Sequence, residues 1–411
     1  MNEAVFGVSR KTESPLKNNR MKRYCKAIDI TDRGLISTAV YKCLNKKYKR
    51  NDTLRLFSTY TILDVNQIYY ILRRYGKKAL WFLTEAVIDD IRKEIVSWDI
   101  KFPPVWYREK IDASSGKIRR IGIQNIKQQI YDYIAVEALQ PILKRIGEHQ
   151  YASIKGRGTL KGARAIRRWL RNRKLTYVAQ SDVKKCYESI DREKLMQFLE
   201  HYVKNDLLLK LIRKLIYSFE KGLSIGSYLS QFLCNLYMSI LYHEVSENMY
   251  RIRKHRNAIK ERINLVKKKV FYMDDVLLTG TNKKDIKKAM KLFIRKAKEL
   301  GLTIKPTFRI YRIAGTFVDM MGYRIYQYKT TIRRRVFRRV RKSYAKVRKL
   351  YGTHKPIPVK WAKRCSSYYG YLKNTDSKHI RKRWKVKKML RICKGVIKRE
   401  ESKIYTETAI T

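Results

Sequence analysis

Apolar residues recur at helical spacing over much of the chain, and this pattern predicts its helices. From residue 21 to about 100, apolar and basic residues alternate with the period of an amphipathic helix, as in VNQIYYILRRYGKKALWFLTEAVIDDIRKEIVSW. Residues 1–20 lack the pattern and are expected to form a frayed arm. A further amphipathic helix is predicted from Asn125 to Ile146. The first hundred residues are therefore interpreted as an N-terminal helical basic region.

Other segments follow the two-residue period of β-strands. KFPPVWYREKIDASSGKIRRIGIQ carries Pro103 and Pro104 and then Ser-Ser-Gly between two β-prone runs, which predicts a hairpin with Arg119 and Arg120 pointing outward. TYVAQSDV has the composition of a buried strand. VFYMDDVLLTG predicts two short strands that meet at a turn.

Helices and a glycine-rich segment separate these strands. DREKLMQFLEHYV and SIGSYLSQFLCNLYMSILYHEV are predicted helices, the second with apolar residues at 229, 232, 233, 236 and 240. KKDIKKAMKLFIRKAKELG predicts an amphipathic helix that ends at Gly301. HQYASIKGRGTLKGARAI is predicted to be a loop. Its glycines lie among cations, an arrangement that suits contact with phosphate.

The charge balance indicates a polyanionic partner. The 411 residues include 96 Lys and Arg against 35 Asp and Glu, a net charge of +61. Pairing of Lys or Arg with phosphates releases condensed counterions and drives binding to nucleic acid. An RNA-coating protein would share this composition, whereas no separate basic amphipathic helix points to a membrane surface. Since 44% of residues are hydrophobic, the chain is expected to fold rather than to be a disordered tail.

The last fifth of the chain is the most basic part. Residues 331–411 contain 27 basic and 4 acidic residues, and they are predicted to be helical and to bind nucleic acid. Aromatic residues are interleaved with the cations and either stack on bases or form a small helical core; they are Trp361, Tyr368, Tyr369, Tyr371 and Trp384.

No targeting or redox signal stands out. The N-terminal residues lack an apolar signal core, and no run approaches 18 apolar residues. The six cysteines form no C-x-x-C pair, so they are interpreted as reduced and structural. We expect a cytoplasmic protein with no membrane partner.

The candidate chemistry centres on three aspartates. Asp274 and Asp275 lie inside the apolar stretch FYMDDVLL, where paired negative charge is costly unless a cation neutralises it. Asp182, at the end of the apolar run TYVAQS, is a second source of carboxylate. Enzymes that catalyse phosphoryl transfer commonly use two Mg²⁺ ions, which are held by carboxylates from more than one chain segment. A lone Asp-Asp pair could also be a surface hairpin tip.

The order of the motifs resembles that of reverse transcriptases. Tyr272-Met-Asp-Asp275 is similar to the signature tetrad of the family, and Asp182-Val-Lys-Lys-Cys-Tyr187 resembles its first catalytic motif. Gly226-Ser-Tyr-Leu-Ser230-Gln231 resembles the motif that supports the templating base and the incoming nucleotide. Four other segments resemble further motifs of the family. They are Lys305 in GLTIKPT, the segment from Phe317 through Gly322, Arg119 with Arg120, and QYASIKGRGTLKGA. The resemblance covers about residues 105 to 328.

The resemblance implies an α+β fold of the right-hand polymerase type. Fingers and palm, with an antiparallel sheet and helices, would occupy residues 101–330, and residues 331–411 would form a basic helical thumb. The implied activity is synthesis of cDNA from an RNA template. Two Mg²⁺ ions, for which Mn²⁺ can substitute, would be held by Asp182 and Asp274 with Asp275 in support, and Lys305 would act as a general acid for pyrophosphate.

The resemblance also implies the remaining binding residues. Those expected to contact the dNTP are Arg119, Arg120, Tyr187, Ile225, Gly226, Ser230 and Gln231, with Tyr187 as the steric gate against a ribose 2′-OH. Those expected to contact nucleic acid are Lys155, Arg157, Tyr272, Met273, Gly322, Arg333, Arg334, Arg335 and Arg338. The implied partners are template RNA, the RNA/DNA duplex, dNTPs, a structured non-coding RNA and an accessory protein.

One departure bears on the subclass. Many retroviral and group II intron enzymes have Gln-Gly where this chain has Ile225-Gly226, and Pro where it has Gln231. The Ile-Gly-x-x-x-Ser-Gln form resembles reverse transcriptases of diversity-generating retroelements, which copy template adenines with poor fidelity. An antiviral-defence or retron-like bacterial enzyme is the alternative. No nuclease or RNase H pattern follows residue 331. A non-catalytic RNA-binding protein and an RNA-dependent RNA polymerase are less compatible with the intact aspartates and with Tyr187.

Overall fold

Helices and antiparallel sheets are combined in the molecule, which confirms the α+β prediction. The computed structural model describes residues 23–111, 116, 118–256 and 259–410, and the side chains of all but the last ten of these. The arm predicted for residues 1–20 lies outside the described residues.

The N-terminal region is helical, as its periodicity predicts. Its four helices are α1 (Arg33–Leu44), α2 (Asn51–Tyr60), α3 (Val65–Arg74) and α4 (Leu80–Ser97). Asp64 and Gln67 form a capping box that fixes the start of α3. The buried faces of these helices belong to the same core as the helices that follow. The region is therefore packed against the centre of the molecule.

The predicted hairpin comes next. Strands β1 (Trp106–Ile111) and β2 (Ile118–Ile123) pair antiparallel, with Ile111 opposite Ile118. The Ser-Ser-Gly turn falls mostly outside the described residues. The helix predicted to run to Ile146 is wrong at its end, because α5 (Ile126–Ala138) gives way to a 3-10 segment over 140–145. Pro141 lies at the start of that segment, and its missing N–H cannot continue the helix.

The glycine-rich segment is only partly a loop. Helix α6 (Thr159–Leu170) begins where a loop was predicted, so that prediction is wrong from residue 159 onward. Gly158, at φ 147°, turns the chain into the helix. Ala163, Ile166 and Leu170 then form its buried face. Their spacing is helical, but the glycines and cations before them obscure the pattern.

A four-stranded antiparallel sheet lies at the centre of the molecule, in the order β6-β7-β3-β8. Its elements in chain order are β3 (Tyr177–Asp182), α7 (Cys186–Ser189), α8 (Arg192–Tyr202), α9 (Asp206–Tyr217), α10 (Tyr228–Glu247), β4 (Tyr250–Lys254), β5 (Lys260–Asn264), β6 (Lys268–Tyr272), β7 (Asp275–Gly280), α11 (Lys283–Glu299) and β8 (Arg309–Arg312). Strands β4 and β5 form a separate two-stranded hairpin that the hydrophobic pattern does not predict.

The two faces of the central sheet are covered differently. Val276 and Leu278 lie on one face and belong to the core that includes α10 and α11. Val178 and Leu277 lie on the other face and pack with α6 and the strands that follow β8. Successive side chains of a strand point to opposite faces, so this division also assigns the polar residues of β3 and β7 to a face.

The chain ends in a second small sheet and a helical unit. These comprise β9 (Val318–Met320), β10 (Tyr323–Ile325), β11 (Thr330–Ile332), α12 (Arg334–Gly352), α13 (Val359–Lys373), α14 (Lys378–Arg383) and α15 (Val386–Ile410). The four helices share a core of their own. All five aromatics of the predicted basic tail are half-buried against that core, so they support the helical core rather than an exposed stacking face.

The cysteines agree with the interpretation that they are reduced and structural. All six cysteines are free and buried. Among the helices of the described residues, none combines the length and the apolar character that crossing a membrane requires.

Candidate active site

The three aspartates lie together at one end of the central sheet. Asp182 ends β3 and is directly opposite Asp275, the first residue of β7. Met273 and Asp274 form the turn between β6 and β7, with Met273 at φ 53°. The carbonyl oxygen of Asp274 accepts a hydrogen bond from the Val183 N–H at 3.1 Å, which ties the turn to β3. Asp182 and Asp275 lie on the sheet face that carries Val178 and Leu277.

Burial and mutual repulsion dominate the electrostatics of this cluster. Burial, followed by the charge of Asp182, raises the pKa of Asp274. Burial, followed by the charges of Asp274 and Asp182, raises the pKa of Asp275 to about 7. Lys305 Nζ lies 2.5 Å from Asp182 Oδ1 and is the nearest compensating charge. The contact is an ion pair rather than a directed hydrogen bond, since no described donor reaches that oxygen with hydrogen-bond geometry.

The donor set suits divalent cations. Three carboxylates share a partly buried site, where the charge of Asp182 contributes to raising the pKa of Asp274 and of Asp275 although Lys305 lies beside Asp182. Oxygen ligands of this kind are those that Mg²⁺ and Mn²⁺ prefer. However, no three His, Cys, Asp or Glu side chains in the described part of the chain converge on one point. The cation beside Asp182 in this structure is the ammonium group of Lys305.

Tyr187 lies next to the turn formed by Met273 and Asp274. Its hydroxyl donates to Met273 Sδ at 3.8 Å, and burial raises its pKa well above the usual range of tyrosine. The backbone holds it there, because the Tyr187 carbonyl accepts from the Leu223 N–H at 2.8 Å. At Gly222 a Cβ would lie 2.5 Å from that same carbonyl oxygen, so only glycine fits. The phenol ring is therefore held beside Met273.

The Ile225 to Gln231 motif begins helix α10 and packs on the hairpin β1–β2. A Cβ at Gly226 would lie 2.2 Å from the carbonyl oxygen of Gly122 in β2. Ser230 is fully buried and its hydroxyl accepts from the Ser224 N–H at 3.2 Å, so it closes the loop before α10. Gln231 accepts from the Ser153 hydroxyl at 3.2 Å. Ile225 is half-buried.

A buried carboxylate that the motifs do not indicate supports this loop. Asp132 of α5 accepts from the Ser227 hydroxyl at 2.6 Å and the Gln124 side chain at 3.1 Å, at the start of α10. Burial raises the pKa of Asp132 to about 6, and these hydrogen bonds oppose the shift. A carboxylate on the apolar face of a predicted helix is the sequence signal that could have found it, since such a group needs partners.

A cavity of about 200 Å³ lies beside the same loop and is lined by Lys47, Gln129, Tyr133, Gly226, Tyr228 and Gln231. The rings of Tyr133 and Tyr228 are stacked with centroids 4.2 Å apart. Lys47 Nζ, in the turn between α1 and α2, donates to Gln129 Oε1 of α5 at 2.8 Å, which brings the N-terminal region to the edge of the Ile225 to Gln231 motif. The cavity thus joins the N-terminal region to the candidate site.

The two predicted hairpin arginines point to different partners. Arg119 is close enough to Asp274 to lower its pKa, so it lies on the side of the carboxylates. Arg120 forms a bidentate ion pair with Glu220 at 2.5 and 2.9 Å, and its guanidinium lies 4.3 Å from the centroid of the Tyr107 ring. Neighbouring residues of a strand face opposite ways. Of the pair, Arg119 is the one directed at the candidate site.

The predicted loop cations also differ. Lys155 is exposed and forms no ion pair with any described residue. Arg157 donates to the carbonyl oxygens of Gly147 at 2.5 Å and Gln150 at 3.1 Å. Arg157 therefore holds the loop before α6, and Lys155 is the freer cation.

The remaining predicted residues lie between the central sheet and the C-terminal helices. Met321 and Gly322 form the two-residue turn of β9 and β10, both with positive φ, as a type I′ hairpin turn requires. A Cβ at Gly322 would lie 2.8 Å from the Tyr371 hydroxyl of α13. Arg333 pairs with Asp319 and lowers the pKa of Asp275. Arg334, Arg335 and Arg338 are exposed on the first turns of α12, and Tyr272 packs against the second core.

Residues 109–307 match the family described as "Reverse transcriptase (RNA-dependent DNA polymerase)". A 176-residue stretch is 28% identical to the "Uncharacterized 91 kDa protein in cob intron" of Schizosaccharomyces pombe; it covers 40% of this chain and 21% of that protein. The chain thus spans about a fifth of the length of this curated relative. By this match, residues 109–307 form a reverse transcriptase domain.

Solved structures show weaker similarity. Apo telomerase from Candida tropicalis aligns with a TM-score of 0.40 and 13% identity over 56% of this chain and 54% of that one. Telomerase from Candida albicans in complex with the TWJ fragment of telomeric RNA aligns with a TM-score of 0.41 and 11% identity over 75% and 64%. At these scores neither alignment contributes to the assignment.

Proposed function

We propose that this chain is an RNA-directed DNA polymerase that extends a primer on an RNA template. The observation that carries the proposal is the position of Asp182 opposite Asp275 with Asp274 in the adjoining turn. Carboxylates from two chain segments at one end of a sheet suit phosphoryl transfer, in which positioning and charge neutralisation supply most of the catalysis. The match of residues 109–307 to the reverse transcriptase family supports the same reaction.

In the proposed mechanism the primer 3′ oxygen attacks the α-phosphorus of the dNTP, and pyrophosphate leaves. Divalent cations, when bound, neutralise the negative charge on the attacking and departing oxygens. Asp182 and Asp274 would be the main ligands of two Mg²⁺ ions, for which Mn²⁺ can substitute, and Asp275 a supporting ligand. Lys305 would leave Asp182 for a phosphate oxygen and donate a proton to pyrophosphate. Arg119 would contact the triphosphate from the hairpin β1–β2.

Tyr187 is proposed to select dNTPs over NTPs by excluding the ribose 2′-OH. We expect Tyr187→Ala to lower discrimination against NTPs by about tenfold or more, because the excluded volume is lost. Tyr187→Phe keeps the ring and is the matched control, with discrimination close to that of the wild type. The measurement is single-nucleotide incorporation on a primed RNA with dNTP or NTP. Equal discrimination by Tyr187→Ala and wild type would remove Tyr187 from this role.

Ile225 motivates the proposal of a diversity-generating retroelement enzyme, with a phage-defence or retron-like enzyme as the alternative. An apolar side chain at this position cannot hydrogen-bond near the nascent pair, so fewer contacts distinguish correct from incorrect nucleotides. We expect Ile225→Gln to reduce misincorporation opposite template adenine by about tenfold, whereas Ile225→Leu should not. Sequencing of the cDNA measures both. Accurate copying of adenine by the wild type would favour the alternative.

Template RNA, the RNA/DNA duplex and dNTPs are the substrates this proposal requires. The duplex is proposed to contact Lys155, Gly322 and the exposed arginines Arg334, Arg335 and Arg338. Helices α12 to α15 are proposed to act as the thumb. A structured non-coding RNA and an accessory protein are further proposed partners.

A further inference from the structure

A second basic surface lies on the back of the central sheet. It consists of the hairpin β4–β5 and the outer face of α11, and we define this rear surface by Lys254, Arg256, Lys260, Lys287, Lys288 and Lys291. All six side chains are exposed, and none forms an ion pair with a described residue. No motif of the candidate active site includes any of them.

The rear surface faces away from the catalytic carboxylates. Helix α11 packs through Ile286 and Met290 on the sheet face that carries Val276 and Leu278. Asp182 and Asp275 lie on the opposite face, by the two-residue alternation of β3 and β7. A duplex held at the carboxylates therefore cannot also cover the lysines of α11.

The hairpin is attached at the end of the sheet remote from the catalytic turn. Lys267 N–H donates to the Thr279 carbonyl at 2.7 Å, and Thr279 lies four residues after Asp275 in β7, a distance of about 13 Å along a strand. An ion pair of 3.1 Å between Arg251 and Asp285 joins the hairpin to the first turn of α11. The hairpin β4–β5 and the outer face of α11 thus form one continuous surface.

Like charges are placed side by side on both elements. Lys254 and Lys260 are directly opposite each other in the hairpin register, an arrangement that is unfavourable without a counterion. Lys287 and Lys291 are four residues apart on α11 and repel each other, as do Lys288 and Lys291 at a spacing of three. The charges of both elements would be compensated by a row of phosphates.

We propose that the rear surface binds a base-paired stem of the RNA outside the copied template-primer duplex. This inference rests on the proposed function, because a template held in the cleft keeps the rest of its RNA at high local concentration beside the protein. Base-paired RNA presents regular rows of phosphates, and proteins recognise it mainly through shape and backbone contacts. Cations on a rigid helix and a protruding hairpin suit such rows.

The test is binding of a fluorescent RNA stem-loop with a blunt stem and a blocked 3′ end, in the presence of a saturating short primer-template. The rear variant combines Lys254→Gln, Lys260→Gln, Lys287→Gln, Lys288→Gln and Lys291→Gln. The control variant carries Lys46→Gln, Lys78→Gln and Lys93→Gln, three exposed lysines of the N-terminal region. The rear variant should bind the stem-loop about tenfold or more weakly, and its affinity should depend less steeply on salt.

The control variant should lose less affinity for each charge removed, and both variants should extend the short primer-template as the wild type does. Wild-type affinity of the rear variant for the stem-loop would overturn the proposal. The proposal would also be overturned if the rear variant bound the RNA as tightly as the wild type but no longer bound acidic phospholipid vesicles. If the wild type fails to extend any primer, the proposed function fails, whereas the stem-loop measurement still reports on the rear surface.

Discussion

Replacing Asp182 by asparagine should reduce the rate of nucleotide addition by about a thousandfold or more, a loss typical of removing a group that neutralises transition-state charge. Asp182 lies opposite Asp275 and is paired with Lys305, so its carboxylate is central to the cluster. Asp274→Asn should have a similar effect. Asp275→Asn should reduce the rate of nucleotide addition by a smaller factor, because Asp275 is proposed to be only a supporting metal ligand. Single-turnover extension of a primed RNA template measures all three.

A loss of folding can be separated from a loss of chemistry. Without added metal, Asp182→Asn should unfold at the wild-type temperature or above, since it removes one of three carboxylates that repel each other. Mg²⁺ should raise the unfolding temperature of the wild type more than that of the variant, because only a bound cation stabilises the folded state. Asp99→Asn, at an exposed site, is the matched control and should keep full activity. An active Asp182→Asn variant would contradict the assignment.

Replacing Gly226 by alanine should weaken both folding and nucleotide use. The added Cβ would lie 2.2 Å from the Gly122 carbonyl oxygen, which is backbone and cannot rotate away. The loop before α10 and strand β2 must then separate, at an expected cost of about 1 to 3 kcal/mol in the free energy of unfolding. Strand β2 carries Arg119, so the same displacement should raise the KM for dNTP. Thermal unfolding and primer extension measure the two effects.

Gly370→Ala is the matched control for this substitution. Gly370 is an exposed residue inside α13, and a Cβ there meets no described atom within 4 Å. Alanine should stabilise that helix by about 1 kcal/mol or less and leave the KM unchanged. If Gly226→Ala behaved like Gly370→Ala, the close approach of the two backbones would not matter for the candidate site.

The parts of the molecule with strong hydrophobic periodicity were predictable from sequence. Strand β3, the β6–β7 hairpin and helices α8, α10 and α11 follow from apolar spacing, and the aspartates stand out because charge interrupts that spacing. The sequence could also place Tyr187 five residues after Asp182. It could not place the ring beside Met273, because that contact depends on the turn and on the backbone at Gly222.

Other features depend on tertiary contacts that no local pattern encodes. Helix α6 is hidden by glycines and cations that are typical of loops. The ion pair of Arg120 with Glu220 joins residues a hundred positions apart, so the partner of Arg120 could not be foreseen, although strand alternation places Arg119 and Arg120 on opposite faces. Asp132 could be recognised as a carboxylate that needs partners, but its position beneath the start of α10 depends on the contact with Ser227, 95 residues away. The hairpin β4–β5 has alternating apolar and basic residues, but two short strands give a weak signal.

The most direct test of the account is extension of a primed RNA template by the purified wild-type chain with dNTPs and Mg²⁺, beside Asp274→Asn and Asp99→Asn. We expect template-length DNA from the wild type and from Asp99→Asn, and none from Asp274→Asn. Incorporation of NTPs in preference to dNTPs, or equal synthesis by Asp274→Asn, would contradict it.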